Sequence, residues 1–284
     1  MDDAPEKVTE SQGSRAAESY YDSSDADTFY SVVWGGEDIH IGLYEPGDSD
    51  IKAASVRTME RMVESLDGLG PDSTVVDLGA GYGGGARLLA RTYGCTVHCV
   101  NISETQNERN RVLNREQGLD DTVKVRHGSF ESVPYDDGAF DVVWSQDSFL
   151  HSGNREQVMR ECWRVLKPGG HLIFTDPMEI EGADQKTLQP VYDRIHLENL
   201  GSIDFYRRVC KKIGFDEVEV LELTEHLGRH YYQVREHLKD RYEDLSREIS
   251  TDYMDRMIAG LTHWVDAKAA GQLSWGILHF RKPT

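Results

Sequence analysis

Residues 73–85 read Ser-Thr-Val-Val-Asp-Leu-Gly-Ala-Gly-Tyr-Gly-Gly-Gly, an apolar run that passes directly into a glycine-rich turn. The run is short and follows a Gly-Pro pair, so it predicts a buried β-strand over residues 73–79. Gly79 and Gly81 have no Cβ, which lets the backbone turn sharply and approach a ligand closely. The helix predicted after the turn would present free N–H groups at its first residues. Residues 73–93 therefore predict a strand–turn–helix unit with a ligand site at the turn.

Strand and helix continue to alternate beyond this unit. Ser103 is a good helix N-cap, with Gln106 at the position of a capping box. Such alternation indicates right-handed crossovers, and hence a parallel sheet with helices on both faces. Strands are predicted over 73–79, 96–102, 122–128, 140–145 and 171–177, and helices over 50–66, 86–93, 103–118 and 154–166.

The pattern changes after residue 178. Two last strands, at 217–223 and 273–282, can pair antiparallel at the end of the parallel sheet. We expect an α/β fold in a single domain over 15–284, with a ligand-binding core at about 70–178. A helical cap is predicted at about 179–213 and 226–270. Residues 1–14 have no apolar periodicity and are predicted to form a disordered acidic tail.

The charge balance excludes several classes of partner. Lys and Arg number 31 and Asp and Glu number 50, which gives a net charge of −19. Binding to nucleic acid or to an anionic membrane surface requires basic residues, so neither partner is expected. No apolar run approaches the roughly 20 residues of a membrane span. The first residues are acidic and polar, unlike a secretory signal, so we expect a soluble cytoplasmic protein.

The basic residues are mainly arginine, with 21 Arg against 10 Lys. Excess carboxylate with few lysines is typical of proteins that work in concentrated salt. There the Debye length falls to about 3 Å near 1 M, so self-repulsion is screened. An ordinary acidic enzyme is the alternative.

Four cysteines occur in a chain too long for a disulfide framework. Cys95 and Cys99 are spaced like metal ligands, but they lie in a predicted strand, and no His or Cys cluster completes a site. They are interpreted as small buried hydrophobic residues, and no metal is expected.

The spacing of Gly79, Gly81 and Gly84 also fits G-x-G-x-x-G, so a nicotinamide-dependent oxidoreductase has to be considered. Asp77 argues against it, because its carboxylate would repel a pyrophosphate at this turn. A cationic ligand fits better, and S-adenosylmethionine has an amino group and a sulfonium but no phosphate. A regulatory domain that binds the cofactor without catalysis is a further alternative.

The pattern D-x-G-x-G-x-G at 77–83, followed by Lys-Pro-Gly-Gly at 167–170, resembles the class I S-adenosylmethionine-dependent methyltransferases. The resemblance covers roughly 70–178 and implies a Rossmann-like, seven-stranded sheet with an antiparallel last strand. It implies S-adenosylmethionine as cofactor and S-adenosylhomocysteine as product. The family usually has an acidic residue at the end of strand two, where this chain has an asparagine. The implied cofactor-binding residues are Asp77, Gly79, Gly81, Asn101, Ile102, Gln106, Ser129, Phe130, Gln146 and His40.

Residues 22–45, 144–152 and 273–281 resemble the sarcosine/dimethylglycine N-methyltransferases, which complete glycine betaine synthesis. The aromatic-rich N-terminal stretch is expected to form helices over the site. The more distant phosphoethanolamine N-methyltransferases show a related aromatic segment and an Asp-x-x-x-His pair after strand four. By this resemblance the catalytic pair falls on Asp147 and His151, and the active-site latch on Tyr30. The i, i+4 spacing places both side chains of the pair on one face if the segment is helical. A carboxylate touching the imidazole would then orient it and raise its basicity.

The substrate side is predicted from the chemistry of a quaternary ammonium product, which aromatic faces suit best. The predicted cage consists of Trp34, Tyr30, Tyr21, Tyr206 and Trp275. The substrate carboxylate suits an arginine in the cap. The sequence does not choose among Arg194, Arg207, Arg208 and Arg229; Arg207 and Arg229 are assigned to the site here.

The leading expectation is an N-methyltransferase that converts sarcosine and dimethylglycine to betaine. A methyltransferase for another small amine, such as a phosphobase, or for a carbon nucleophile is the nearest alternative. The expected partner is a small amine, and the expected oligomeric state is a monomer or a homodimer.

Overall fold

The computed structural model describes residues 23–195 and 197–284. The predicted tail, residues 1–14, and Tyr21 lie outside the described residues. One seven-stranded sheet has the order β3-β2-β1-β4-β5-β7-β6, and β7 is antiparallel to both its neighbours, as predicted. The strands are β1 Thr74–Leu78, β2 Thr96–Asn101, β3 Val123–His127, β4 Phe140–Gln146, β5 Leu166–Glu179, β6 Asp216–Glu222 and β7 Leu273–Arg281.

The helices cover both faces of this sheet and its carboxyl edge. They are α1 Ser24–Phe29, α2 Ile51–Glu64, α3 Gly84–Tyr93, α4 Glu104–Glu116, α5 Arg155–Val165, α6 Gln185–Ile195, α7 Ile203–Ile213, α8 Thr224–Asp240, α9 Tyr242–Leu245 and α10 Thr251–Ala269. A π-helical turn at Tyr30–Trp34 extends α1, and a 3-10 turn at Phe149–His151 follows β4.

Two boundaries differ from the predicted ones. The strand predicted to begin at residue 171, after the Lys-Pro-Gly-Gly segment, already begins at Leu166, which pairs with Phe140. The register then shifts before Val142 pairs with His171, so the segment is an irregularity inside the strand. The helical cap predicted at about 226–270 begins at Thr224 and consists of three helices, α8, α9 and α10.

Two apolar clusters hold helices against the sheet. On one face Val76 and Leu78 of β1 pack with residues of α5 such as Val158. On the other face Val75 packs with α2 and α3 residues such as Leu89. Alternate residues of β1 thus enter opposite layers, as a strand buried on both faces requires. The four cysteines have free thiols and are buried, which confirms their apolar interpretation.

A third cluster joins the N-terminal helices to the cap. Phe29 of α1 and Trp34 of the π-helical turn pack with α8 and α10 residues such as Val234 and Leu261. The cap and the N-terminal segment therefore meet over the carboxyl edge of the sheet, where β1, β2 and β4 end. Within the described ranges, none of the helices has the length and apolar character that crossing a bilayer requires.

Candidate active site

A first cavity of about 870 Å³ opens at the carboxyl ends of β1, β2 and β4. In parallel sheets of this kind, ligands bind at the edge where the strands end. Every residue predicted to bind the cofactor lines this cavity: Asp77, Gly79, Gly81, Asn101, Ile102, Gln106, Ser129, Phe130, Gln146 and His40.

The glycine-rich turn forms the floor of the first cavity. Gly79 has φ +77°, and a Cβ there would lie 2.4 Å from the Ser148 side chain. Ser148 Oγ donates to the carbonyl oxygen of Gly79 at 3.1 Å, which ties the turn after β1 to the turn after β4. Gly81 has φ +53° and faces Ile39. Both positions therefore need glycine, in agreement with the sequence analysis.

Two amide side chains, Asn101 and Gln106, lie at the end of β2, where related folds have an acidic residue. Asn101 Nδ2 donates to Gln106 Oε1 at 2.9 Å, and Gln106 N donates to the Ser103 hydroxyl as its N-cap. The pair is nearly buried, so these two side chains are fixed at the cavity wall. Phe130 packs edge-on against Phe149, with 5.8 Å between ring centroids.

The electrostatics of the first cavity favour a cation. Burial raises the pKa of Asp77 to about 7 and, with the nearby Glu37, raises the pKa of Asp38 to about 6. A cationic ligand would favour both ionised carboxylates and lower these pKa values. Gln146 accepts from Trp144 Nε1 at 3.1 Å, while its Nε2 is buried without a hydrogen-bond partner in the described part of the chain.

A strap, residues 37–44, crosses the first cavity between the N-terminal helices and α2. Glu37 forms a 2.8 Å ion pair with Arg87 of α3. Asp38 rests on Gly84, where a Cβ would come within 1.8 Å of its Oδ1. At its far end the strap is anchored to α8, because Tyr44 N donates to His226 Nδ1 at 3.0 Å.

A second cavity of about 460 Å³ lies on the other side of the strap. Tyr30 and Trp34 line it together with Tyr231 of α8 and Trp264 of α10. Tyr231 and Trp264 are stacked at 4.7 Å, and the Trp34 ring stands edge-on to Tyr231 at 5.7 Å. Arg194 of α6 completes this wall, which offers aromatic faces and one guanidinium.

The two cavities meet at four residues, Ile39, His40, Asp147 and His151, which line both of them. Two of the three predicted catalytic residues thus lie at the junction, and the third, Tyr30, lies in the second cavity.

Asp147 differs from its predicted geometry. It has φ +49°, in the left-handed region, because the chain turns sharply after β4 instead of starting a helix. Its carboxylate accepts from Ile41 N at 2.5 Å and from Trp275 Nε1 at 2.8 Å. Asp147 therefore fixes the strap over the junction. Burial raises its pKa.

The expected rise in the basicity of His151 is wrong. Burial, reinforced by Arg155 and Arg194, lowers the pKa of His151 to about 4. His151 is therefore a neutral imidazole at pH 7.

Three of the predicted substrate residues lie elsewhere. Tyr206 is fully buried between sheet and α5, and its hydroxyl donates to Asp176 at 2.7 Å. Arg207 pairs with Glu217 at the surface, and Arg229 donates to the Asp48 carbonyl oxygen. Helical periodicity could not show these partners, since they come from distant parts of the chain.

Two more candidates are corrected by their contacts. Trp275 is a buried donor to Asp147 and so supports the strap, whereas a cage face was predicted. Arg208 pairs with Glu181 at the surface. Arg194 is the candidate arginine whose side chain reaches the second cavity.

Sequence reasoning missed Tyr231, Trp264 and Asp38. The two aromatic residues occupy ordinary apolar positions of long amphipathic helices, which gives no signal of a ligand. Asp38 could have been noticed as an acidic residue inside an aromatic segment. Within the described ranges, His, Cys, Asp and Glu side chains form no group of three suited to a metal ion.

The sheet order, the glycine-rich turn and the cavity at the carboxyl edge define a class I methyltransferase fold. Residues 76–174 match a family described as a methyltransferase domain. A solved phosphoethanolamine N-methyltransferase 2 from Haemonchus contortus, in complex with phosphomonomethylethanolamine and S-adenosylhomocysteine, has the same fold. Its TM-score is 0.83 at 19% identity, and the alignment covers 99% of this chain and 62% of that one.

Closer relatives specify the family. The sarcosine/dimethylglycine N-methyltransferase of Halorhodospira halochloris is 52% identical over 95% of this chain and 97% of its own. A crystal structure from Galdieria sulphuraria, provisionally assigned as a sarcosine dimethylglycine methyltransferase, has a TM-score of 0.88 at 43% identity. It covers 93% of this chain and 99% of that chain. The chain belongs to the sarcosine/dimethylglycine N-methyltransferase family.

Proposed function

We propose that this protein transfers methyl groups from S-adenosylmethionine to the amine nitrogen of sarcosine and dimethylglycine, with glycine betaine as the final product. The observation that carries the proposal is the junction, where the cavity on the glycine-rich turn meets a second cavity lined by aromatic rings. Methyl transfer is an in-line displacement, which needs two ligands held end to end in adjoining sites. The family to which the chain belongs supports the same reaction.

The residues of the first cavity fit S-adenosylmethionine. The buried carboxylate of Asp77 suits the cationic part of this ligand. Gln146 Nε2, which has no partner among the described residues, can donate to one of its acceptor atoms. Asn101 and Gln106 offer amide groups to hydroxyls, and Phe130 offers a ring face beside Ser129. When bound, the cofactor supplies a methyl group on a sulfonium, which is a good leaving group.

The residues of the second cavity suit an amine that becomes a quaternary ammonium. A cation without N–H groups is held best by aromatic faces, each worth about 0.5–2 kcal/mol. Tyr30, Trp34, Tyr231 and Trp264 provide such faces. Tyr30 and Trp34 belong to the N-terminal turn, so closure of this turn would exclude water from the junction.

The amine has to lose a proton before it attacks, because aliphatic amines titrate near ~10, like lysine. His151 is neutral at pH 7 and lines both cavities, so it is the proposed proton acceptor. Asp147 holds the strap through Ile41 N. His40, from the strap, is proposed to face the methionine part of the cofactor.

A labelled methyl-transfer assay over glycine, sarcosine, dimethylglycine and phosphoethanolamine tests the proposal. We expect label on sarcosine and dimethylglycine. Label on phosphoethanolamine alone, or on none of the four, would disprove it. Calorimetry that compares binding of S-adenosylmethionine with binding of NAD tests the cofactor independently. Only S-adenosylmethionine should bind. The cytoplasmic location stays a prediction.

A further inference from the structure

Two tryptophans of the second cavity carry buried N–H groups that have no acceptor in the part of the chain that the structure describes. Trp34 is 5% exposed and Trp264 is 1% exposed, and neither Nε1 has a hydrogen-bond partner among residues 23–195 and 197–284. An unsatisfied buried donor destabilises the folded state, so native structures rarely keep two in one place. Both side chains line the same cavity, and a ligand with several acceptor atoms would satisfy both.

The Arg194 side chain reaches the same cavity by packing against Gly260, a residue of the neighbouring helix α10 that has no side chain. A Cβ at Gly260 of α10 would lie 2.2 Å from Arg194 Cδ and 2.5 Å from its Nε. Any larger residue at 260 would displace the guanidinium, so glycine allows the close approach of α6 and α10 here. Arg194 Nη2 also lies 3.7 Å from Met257 Sδ.

We propose that Arg194, with the indole N–H groups of Trp34 and Trp264, binds the carboxylate of the amino-acid substrate. This inference rests on the proposed function. It assigns binding residues to the carboxylate, the group that distinguishes an amino acid from other small amines. A carboxylate has two oxygens and about four acceptor directions, and arginine binds it in a bidentate manner. The amine nitrogen then points toward the junction with the first cavity.

The assignment links substrate binding to the proton acceptor. The positive charge of Arg194 is one cause of the lowered pKa of His151. A carboxylate bound to Arg194 offsets that charge, so the imidazole becomes more basic when the substrate is present. His151 is thereby a better proton acceptor in the loaded site than in the empty one.

The test compares KM for dimethylglycine with KM for S-adenosylmethionine in Arg194→Met, Arg194→Lys and Trp264→Phe. In Arg194→Met we expect KM for dimethylglycine to rise about 30-fold or more, because the bound carboxylate loses its charged partner. KM for S-adenosylmethionine should change less than threefold. Arg194→Lys should recover part of the loss, and Trp264→Phe, which keeps a ring but removes the N–H, should raise KM about 3–10-fold.

Matched controls are Arg160→Met, which removes an exposed arginine paired with Glu156, and Trp163→Phe, outside both cavities. Both should leave the two KM values within twofold. Gly260→Ala tests the geometry separately, and it should raise KM for dimethylglycine in the same direction as Arg194→Met.

The outcomes separate the two proposals. If the unaltered protein does not methylate dimethylglycine, the proposed function fails. If it does, and Arg194→Met keeps its KM for dimethylglycine within threefold, the carboxylate assignment fails while the function stands. An equal loss of affinity for both substrates, without recovery in Arg194→Lys, would show a merely structural arginine and overturn the assignment.

Discussion

At the scale of single residues, His151 combines access to both cavities with a neutral ring. Its pKa of about 4 keeps the ring neutral at pH 7, and it becomes a stronger base only when a bound carboxylate offsets the charge of Arg194. We predict that His151→Ala lowers kcat about 100-fold or more, as expected for a lost general base. The dissociation constant of S-adenosylmethionine, measured by calorimetry, should stay within threefold. His263→Ala, at an exposed position of α10, is the control, and turnover of His151→Ala within fivefold of normal would remove this residue from the mechanism.

The ionised carboxylate of Asp77 favours cofactor binding but destabilises the cofactor-free folded state. Its folded pKa of about 7 lies above the ordinary 3.8, because burial disfavours the carboxylate. The folded state therefore binds the proton more tightly, and the free energy of unfolding falls as pH rises from about 4 through 7. A bound cation offsets this loss.

We predict that Asp77→Asn makes the cofactor-free protein more stable at pH 8 by about 1–3 kcal/mol, while the gain shrinks toward pH 4. Its affinity for S-adenosylmethionine should fall about tenfold or more, since a charge-assisted contact is lost. Urea unfolding at both pH values and calorimetry measure the two effects. Asp72→Asn, at an exposed position, should change neither the stability nor the affinity for S-adenosylmethionine. Lower stability of Asp77→Asn at pH 8 would contradict the prediction.

At the scale of elements, one buried carboxylate holds the turn that carries His151. Asp176 of β5 accepts from Leu150 N at 2.9 Å and from the Tyr206 hydroxyl at 2.7 Å. Arg155 donates to the Leu150 carbonyl oxygen at 2.7 Å from the other side. The 3-10 turn after β4 is therefore held by β5, α7 and α5 together.

We predict that Tyr206→Phe destabilises the protein by about 1–3 kcal/mol, because Asp176 stays buried and loses a donor. Burial raises the pKa of Asp176 to about 7, and the tyrosine hydrogen bond opposes that rise. The loss should be largest above pH 7, where the carboxylate is ionised, and smaller at pH 5. Urea unfolding measures it, and Tyr232→Phe, at a residue 45% exposed, is the control. An equal loss at both pH values would argue against this account.

The elements and the first cavity were predictable because their signals are local. The glycine-rich turn, the ends of β2 and β4 and the N-cap at Ser103 each lie within a few residues of the feature that defines them. Strand alternation then places the carboxyl ends of β1, β2 and β4 at one edge of the sheet.

The second cavity was predictable only in part, because its walls come from α6, α8, α10 and the N-terminal turn. Tyr206 and Trp275 are aromatic residues of the kind that forms a cage. Each of them, however, donates to an aspartate more than 25 positions away in sequence, Asp176 for Tyr206 and Asp147 for Trp275. Among the arginines, only the packing of α6 on Gly260 distinguishes Arg194. Such contacts depend on the packing of the cap, which periodicity does not encode.

At the scale of the whole molecule, the net charge of −19 is spread over a surface rich in carboxylates. Betaine is an osmolyte that cells accumulate under high external salt, so the proposed product and the acidic surface suit the same environment. Self-repulsion between these charges weakens as the Debye length falls from about 10 Å at 0.1 M to about 3 Å at 1 M salt.

We predict that the midpoint of thermal unfolding rises by about 5 °C or more between 0.05 and 1 M NaCl, about 2 kcal/mol for a chain of this size. Methyl transfer should persist or increase over the same range. Salt also strengthens apolar burial, so the rise alone does not identify repulsion as its cause. A variant with less negative charge distinguishes charge repulsion from apolar burial, because the variant and the unaltered protein bury the same apolar surface.

The variant neutralises six exposed carboxylates, which changes the net charge from −19 to −13. Its midpoint in 0.05 M NaCl should be higher than that of the unaltered protein, and its rise with salt should be less than half as large. An unchanged salt response would show that repulsion among surface carboxylates does not limit stability, and the acidic composition would then be unrelated to work in salt. The substitutions are Glu60→Gln, Glu64→Gln, Glu116→Gln, Asp121→Asn, Asp136→Asn and Glu243→Gln.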